Sequence, residues 1–197
     1  MSKKYLFFDT ETTGVPRDYR APLTDFDNWP RLVQIAWIFQ DPGEETIKSN
    51  YIIFPEYGEI PEEASKIHGI TTEKAHRTGH DIKKILSIFQ DYVKLSDVIV
   101  GHNVSFDRKI VGAEFERLEW EDPLHGTDRI CTMMKSTNYC KLPKNSGYGG
   151  YKWPKLEELY FKLFGREFPD AHDAMIDIQA TEQCFWRLVD LDVISLD

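Results

Sequence analysis

The chain has 197 residues, of which 41% are hydrophobic and 29% charged, a composition that indicates one globular domain over residues 1–197 and excludes a disordered chain. The apolar run at residues 5–8 is too short for a signal peptide or a membrane span, and the three cysteines show no C-x-x-C spacing. We therefore expect a cytoplasmic protein with reduced thiols and no membrane contact. A net charge of −9 argues at first against a nucleic-acid partner, whose phosphates normally require a basic face, but residues 127–166 carry eight Lys or Arg against three acids. That segment is either a basic face for an anionic partner or simply a solvated surface.

Three β-strands are predicted in the first third of the chain. The runs Tyr5–Thr12, Leu32–Gln40 and residues 49–54 are rich in β-branched and aromatic residues, and turns containing Pro, Gly and Asp separate them. Sequential strands usually pair with their neighbours, so we expect an antiparallel meander.

The pattern then changes to alternating helices and strands. After Asp81, a candidate N-cap, apolar residues recur every three or four positions, which predicts a helix. Residues 97–103 ("DVIVGHN") predict a strand buried on both faces, and a helix follows. Further along we predict a fifth strand or strand-like turn at "GTDRICTMM", a helix from Pro154 to Gly165, and a last helix from Ala174 to Leu191. This order predicts an α/β fold with a five-stranded mixed sheet, three antiparallel strands and then parallel βα units, flanked by helices.

Acidic residues stand in apolar or tightly turned settings at three places. Asp9 and Glu11 are two residues apart in the first strand, so their side chains point to the same side. At about 5 Å and an effective dielectric constant of ~20, two such charges repel by roughly 3 kcal/mol. The other two places are Asp107 in "GHNVSFD" and the segment "HDAMID", which contains His172, Asp173 and Asp177.

Spacing alone does not make these residues a site. The same acid-x-acid spacing occurs at four other positions of the chain, and each candidate has an ordinary structural interpretation. Asp9 and Glu11 could lie at a solvated strand edge, Asp107 could be an acid at a helix start, and His172 could be a surface histidine. Asn103 could cap the helix that contains Asp107, and Asp173 could cap the last helix.

The predicted topology nevertheless brings these acids to one crevice, at the carboxyl ends of the parallel strands. Oxygen ligands without cysteine suit hard cations such as Mg²⁺ or Mn²⁺. Two such ions, held about 3.5–4 Å apart, stabilise the attacking and leaving oxygens when a phosphodiester is cleaved by in-line displacement.

Three segments, "FDTETTG", "GHNVSFD" and "HDAMID", resemble the three exonuclease motifs of the DEDD superfamily in order and context, in the branch with a histidine five residues before the last aspartate. The chain is similar to the proofreading 3'-5' exonuclease subunits of bacterial replicative polymerases from Tyr5 to about Leu188, including the accessory segments "LVQIAW" and "IHGIT". The resemblance implies a ribonuclease-H-like fold and a metal-dependent 3'-5' exonuclease. Such an enzyme releases nucleoside 5'-monophosphates from single-stranded or frayed DNA.

The resemblance also assigns roles to individual residues. It implies that two divalent cations, Mg²⁺ or Mn²⁺, are held by four catalytic carboxylates: Asp9, Glu11, Asp107 and Asp177. It implies that His172 is the general base. The residues that we expect near the terminal nucleotide are Thr10, Thr12, Thr13, His68, Asn103 and Phe106. Residues 138–153, a predicted irregular loop that is basic and aromatic, are expected to guide the incoming strand.

Several alternatives stay open at this point. The partner is expected to be a single-stranded 3' end, with DNA favoured, but an exoribonuclease acting on short RNA or tRNA ends is an alternative, and a non-catalytic nucleic-acid-binding module is a remote one. The polymerase subunits carry a further C-terminal tail that binds the polymerase, and this chain ends at Asp197. We therefore expect either that the protein acts alone or that a polymerase partner binds elsewhere. The oligomeric state is open, a homodimer included. Residues 17–31, a longer insert than the family often has, are expected to be a surface loop, although their acids and Trp29 could border the site.

Overall fold

The structure, a computed structural model, describes residues 3–144, 149–167 and 173–196. Within these residues a five-stranded sheet has the order β3-β2-β1-β4-β5. The strands are β1 (Tyr5–Thr12), β2 (Leu32–Gln40), β3 (Ile47–Ile52), β4 (Val98–Gly101) and β5 (Asp128–Cys131). The first three pair antiparallel, and β4 and β5 run parallel to β1. The predicted mixed α/β sheet is confirmed, but β3 begins and ends two residues earlier than predicted. It is an edge strand with mostly exposed or half-buried residues, so its apolar pattern is weak.

Seven helices lie in the described parts of the chain: α1 (Glu62–His68), α2 (Thr72–Thr78), α3 (Ile82–Leu95), α4 (Val104–Arg117), α5 (Thr132–Cys140), α6 (Leu156–Phe164) and α7 (Ala174–Asp190). Asp81 and Asp173 cap α3 and α7 with their side chains, as predicted. The sequence did not predict α5, and the irregular segment begins after it, at Lys141. The reason is that α5 turns Thr132, Ser136 and Cys140 inward, so it lacks the apolar periodicity of a typical amphipathic helix.

Both faces of the sheet are covered because alternate residues of β1 belong to different cores. Leu6 and Phe8 pack in a cluster with residues of α3 and α4, whereas Tyr5 and Phe7 pack in a cluster with residues of α6 and α7. The central strands β1, β2 and β4 therefore form a mostly buried middle layer, whereas β3 and β5 are more exposed. In the described residues no helix is both long and apolar enough to cross a membrane. All three cysteines are free.

The insert at residues 17–31 is more than the surface loop that was predicted. Trp29 is only 2% exposed, belongs to the core cluster with α3 and α4, and donates a hydrogen bond from Nε1 to the Pro22 carbonyl. Tyr19 places its ring 6.4 Å from the ring of Phe106 on α4. The insert thus packs along α4 through the buried Trp29 and through the contact between Tyr19 and Phe106, although Tyr19 itself is 50% exposed.

A buried acid fixes the end of this insert to α4. Glu114 is 1% exposed, and its Oε1 accepts hydrogen bonds from Arg31 Nε at 2.9 Å and from the Leu32 amide at 3.0 Å. Arg117 Nη1 lies 3.3 Å from the same oxygen. The backbone of Arg31 in turn pairs with Thr13: its amide donates to Thr13 Oγ1 at 2.9 Å, and its carbonyl accepts from the Thr13 amide at 3.0 Å.

We expect Glu114→Ala to lower the free energy of unfolding by about 3 kcal/mol, because it leaves two partly buried cations and a buried amide without their acceptor. Urea unfolding followed by circular dichroism measures the change. Glu121→Ala, which removes an exposed acid of the same type, is the matched control and should change stability by less than about 0.5 kcal/mol. Equal stabilities for the two variants would contradict this interpretation.

His102 connects three elements at the end of β4. Its Nε2 lies 3.0 Å from the Pro154 carbonyl, and its Nδ1 lies 3.0 Å from Thr132 Oγ1. Because a carbonyl oxygen only accepts, Nε2 carries the proton of the neutral ring, which leaves Nδ1 as an acceptor for the Thr132 hydroxyl; that hydroxyl also lies 3.3 Å from the Gly101 carbonyl. Burial lowers the pKa of His102 to about 4, although the bond to Pro154 acts in the opposite direction.

A pH-dependent loss of stability follows from this lowered pKa. The stabilisation by neutral His102 is complete above the unfolded pKa of about 6.5 and is lost as the pH falls towards the folded pKa. We expect the difference in unfolding free energy between the wild type and His102→Gln to shrink by about 2 kcal/mol from pH 7 to pH 5. Denaturant unfolding of both proteins at each pH measures it, and a difference that does not change with pH would show that the ring does not titrate in this range.

Candidate metal centre and adjoining pocket

Three of the predicted catalytic carboxylates converge at the end of β1. Asp9, Glu11 and Asp177 each offer an oxygen atom, and these oxygens all lie within 4.8 Å of one another. Asp9 and Glu11 come from β1, and Asp177 comes from the first turn of α7. Three carboxylates this close fit the oxygen-only coordination of a hard divalent cation, whose ligands lie about 2.0–2.6 Å from the ion.

The alternation of β1 explains which side chains meet there. Asp9 and Glu11 point to the same face as Phe7, the face covered by α7, whereas Thr10 points to the face covered by α4. Thr10 therefore meets Asp107, the fourth predicted carboxylate. Asp107 is 3% exposed, and its Oδ1 accepts hydrogen bonds from Thr10 Oγ1 at 2.7 Å and from the Thr10 amide at 3.1 Å. Asp107 is not part of the group within 4.8 Å, but its charge raises the pKa values of both Asp9 and Glu11.

The electrostatics of this cluster favour a cation. Burial raises the pKa of Asp9 well above its usual value, and the charges of Asp107, Asp177 and Glu11 raise it further. Burial, followed by the charges of Asp177 and Asp107, raises the pKa of Glu11 to about 8. Burial raises the pKa of Asp107 to about 7 even though its bonds to Thr10 lower it. Ionising all of these carboxylates at the same time is therefore unfavourable, and a bound divalent cation would stabilise their ionised forms.

A pocket of about 400 Å³ adjoins the cluster. Residues 10–15 form one wall, residues in and just before α1 form the opposite wall, and Phe106 closes one side. Five of the six predicted substrate contacts line this pocket: Thr10, Thr12, Thr13, His68 and Phe106. Because Glu11 belongs to both features, a group that fills the pocket would lie directly beside the carboxylates.

The sixth predicted contact, Asn103, does not line the pocket. It is exposed, has a φ of 65° in the left-handed region that asparagine tolerates better than most residues, and its side chain does not cap α4. Six residues of the pocket wall were not among the predicted site residues, and two of them, Val15 and Ile67, are 72% and 59% exposed. Ile67 is part of the quoted segment "IHGIT", so that accessory motif was the available signal. His172 lies outside the described residues, and its role stays a prediction.

With the geometry in place, comparison with known proteins identifies the family. Residues 6–185 match the family model RNase_T, described as "Exonuclease". The chain belongs to this exonuclease family. The predicted membership of the DEDD superfamily of 3'-5' exonucleases is thereby confirmed.

Curated relatives and solved structures agree with this family. The chain is 28% identical over 190 residues to the DNA polymerase III PolC-type of Latilactobacillus sakei, a match that covers 95% of this chain and 11% of the relative. It is 26% identical, with a TM-score of 0.71, to the E. coli exonuclease I structure in complex with a dA16 oligonucleotide, and the match covers 96% of this chain and 41% of that one. A zinc-ion-bound E. coli exonuclease I–ssDNA complex is similar at 25% identity and a TM-score of 0.71, with coverage of 96% and 41%. The predicted ribonuclease-H-like fold is confirmed, and the chain spans a minor part of each of these proteins.

Proposed function

We propose that this chain is a metal-dependent 3'-5' exonuclease that hydrolyses the terminal phosphodiester bond of single-stranded or frayed DNA and releases nucleoside 5'-monophosphates. One observation supports this most strongly: oxygens of Asp9, Glu11 and Asp177 lie within 4.8 Å of one another, and Glu11 also lines a pocket of about 400 Å³. A terminal nucleoside in that pocket would present its phosphodiester to the carboxylates. The exonuclease I structure bound to dA16 supports DNA as the substrate class.

We propose that the site holds two Mg²⁺ or Mn²⁺ ions, which when bound would supply Lewis-acid activation of the phosphodiester and a nucleophile at neutral pH. We propose that Asp9, Glu11 and Asp177 hold the cations and that Asp107, oriented by Thr10, completes the set. His172 is proposed to take the proton from the attacking water, a task that imidazole side chains commonly perform.

The pocket is proposed to orient the terminal nucleoside. Phe106 offers a half-buried ring for a base to pack against, and Thr12 and Thr13 lie on the wall next to Glu11. The orientation of His68 on the opposite wall is fixed, because its Nδ1 accepts a hydrogen bond from the Ile70 amide at 3.1 Å. Packing against an aromatic ring does not depend on the identity of the base, so we expect little base preference.

The basic segment after α5 is proposed as the path of the incoming strand. Lys152 and Lys155 are paired with Glu158 and Glu157, so their charges are partly neutralised within the protein. The contribution of this segment would therefore come mainly from Trp153, which is 63% exposed. Trp153 directly precedes Pro154, whose carbonyl accepts a hydrogen bond from His102. His102 follows the carboxyl end of β4, which lies at the same end of the sheet as the acids of β1.

We expect Trp153→Ala to raise the KM for a single-stranded oligonucleotide about tenfold with little change in kcat, because one base–aromatic stacking contact is worth about 1–3 kcal/mol. Steady-state kinetics with a 15-nucleotide substrate measure this effect. Leu95→Ala is the control. Leu95 is 55% exposed at the end of α3, just before β4 begins, and so lies near the other end of the strands. A KM that is unchanged in Trp153→Ala would remove this segment from the proposed path.

Association with a DNA polymerase is a further proposal, supported by the PolC-type relatives, whose name is that of a polymerase. The substrate class itself is tested by turnover on single-stranded DNA, mismatched duplex DNA and RNA of the same sequence, each with Mg²⁺ and with Mn²⁺. We expect single-stranded DNA to give the highest kcat/KM. A higher kcat/KM on RNA would replace the DNA exonuclease by an exoribonuclease, and binding without turnover on every substrate would contradict the proposed function.

A further inference from the structure

A buried glutamine bridges β2 and the start of α7 beside the metal centre. Gln34 is 2% exposed and lies directly opposite Glu11 in the register of β1 and β2, so both side chains point to the face covered by α7. Its Nε2 donates to Asn50 Oδ1 at 2.9 Å and to Asp173 Oδ2 at 3.2 Å, and its Oε1 accepts from the Ala174 amide at 3.3 Å. Every polar atom of this buried amide therefore has a partner, and two of the three partners belong to the start of α7.

Further hydrogen bonds connect Asp173 to the turn of α7 that carries Asp177. The other carboxylate oxygen of Asp173 accepts hydrogen bonds from the amides of Met175 and Ile176 at 3.0 and 3.4 Å, and the Asp173 carbonyl accepts from the Asp177 amide at 2.9 Å. Gln34 thus holds the residue that caps α7, and that residue holds the first turn, from which the Asp177 side chain extends. Apolar packing alone is less directional and would permit small shifts of the helix end along the sheet.

We infer that Gln34 is a positioning residue of the metal centre: it fixes the first turn of α7 against β2, so that the Asp177 carboxylate stays within reach of Asp9 and Glu11. The inference rests on the proposed function, since it presumes that these carboxylates bind divalent cations. Hydrogen-bonding groups that orient metal ligands typically change metal affinity 10–100-fold when they are removed.

A second glutamine on the same strand provides a matched control. Gln40 lies six residues along β2, on the same face, and also bridges to α7: its Nε2 donates to Glu182 Oε1 at 2.6 Å, and its Oε1 accepts from Trp186 Nε1 at 3.0 Å. Its register partner on β1 is Tyr5, at the end of the strand opposite the acids. Gln40 therefore stabilises the packing of α7 on β2 without touching the part of the helix that carries Asp177.

The experiment compares Mn²⁺ binding to the wild type, Gln34→Met and Gln40→Met, measured by the electron paramagnetic resonance signal of free Mn²⁺ without any substrate. Methionine retains the length of the side chain and removes its hydrogen bonds. We expect Gln34→Met to raise the Kd for Mn²⁺ at least tenfold and Gln40→Met to leave it within twofold, although both lower the thermal midpoint. Asp173→Ser, which can still cap α7 but is too short to reach Gln34, tests the same contact from the helix side if Gln34→Met does not fold, and should weaken binding similarly.

The outcomes separate this inference from the function on which it rests. If the wild type binds Mn²⁺ and either Gln34→Met or Asp173→Ser binds it within twofold of the wild-type affinity, the positioning role is wrong and the proposed metal site stands. Equal weakening by Gln40→Met would also overturn the inference, because the effect would then come from general loosening of α7. A wild type that binds no Mn²⁺ would overturn the proposed function, and the positioning role with it.

Discussion

Replacing Asp9 by asparagine is expected to slow the release of mononucleotides from a single-stranded oligonucleotide at least about 1,000-fold, a loss of roughly 4 kcal/mol of transition-state stabilisation. Asp9 is the carboxylate whose pKa is raised by the charges of Asp107, Asp177 and Glu11. An asparagine of the same shape removes one negative charge from the cluster and offers one weaker neutral ligand. The chemistry should therefore fail while the pocket and the fold are retained.

Single-turnover kinetics with excess protein measure this loss without a contribution from product release. Asp91→Asn, which neutralises an exposed acid on α3, is the matched control and should leave the rate unchanged. In EDTA the Asp9→Asn protein should be at least as stable as the wild type, since a neutral amide replaces a buried carboxyl group whose ionisation is unfavourable in this cluster. An Asp9→Asn rate within tenfold of the wild type would contradict the assignment of Asp9 as a metal ligand.

The second large effect concerns stability in the absence of metal. Because the folded-state pKa values of Asp9, Glu11 and Asp107 are all raised, these groups hold protons more tightly in the folded than in the unfolded chain. Such groups contribute stability that is fully present below the unfolded pKa of about 4 and is lost as the pH rises through the folded pKa, which for Glu11 is about 8. In EDTA, we therefore expect these three acids to lower the thermal midpoint progressively from pH 5 to pH 8.

Adding Mn²⁺ should reverse this loss. Cation binding requires ionised carboxylates, so the increase of the thermal midpoint on adding Mn²⁺ should be small at pH 5 and largest near pH 8. At a concentration 100-fold above its Kd the ion contributes about 2.7 kcal/mol, or roughly 5–10 °C for a domain of this size. Differential scanning fluorimetry across this pH range tests the expectation, with Glu11→Gln as the variant and Glu45→Gln, an exposed acid, as the control. An Mn²⁺-induced shift that is equally large at pH 5 and pH 8 would contradict it.

The sequence predicted the centre of the site better than its surroundings. Asp9 and Glu11 share a face because strand periodicity is a local property. The segment "VIVGHN" is typical of a buried parallel strand, whose carboxyl end is expected at the same crevice as the end of the strand that carries the two acids. The sequence of strands and helices predicted the mixed sheet, and the cap provided by Asp173 follows from a local signal, whereas the order of the strands in the sheet was not predicted.

The parts that were missed depend on tertiary contacts. The pocket wall formed by α1 comes from a short helix with only two buried residues, and α5 turns polar side chains inward, so neither has a strong hydrophobic period. Trp29 was expected near the surface because its segment is rich in acids and proline, yet its ring packs into the core. The role of Gln34 could not be predicted, because its partners are 16 and 139 residues away along the chain.

The most direct test of the proposed activity is the product released from a single-stranded oligodeoxynucleotide labelled in its 3'-terminal nucleotide, incubated with the protein in Mg²⁺ or in EDTA. The proposal predicts that labelled nucleoside 5'-monophosphate is the first product in Mg²⁺ and that no label is released in EDTA. Label that stays in oligonucleotide-sized fragments, or that is released equally with and without metal, would contradict a metal-dependent 3'-5' exonuclease.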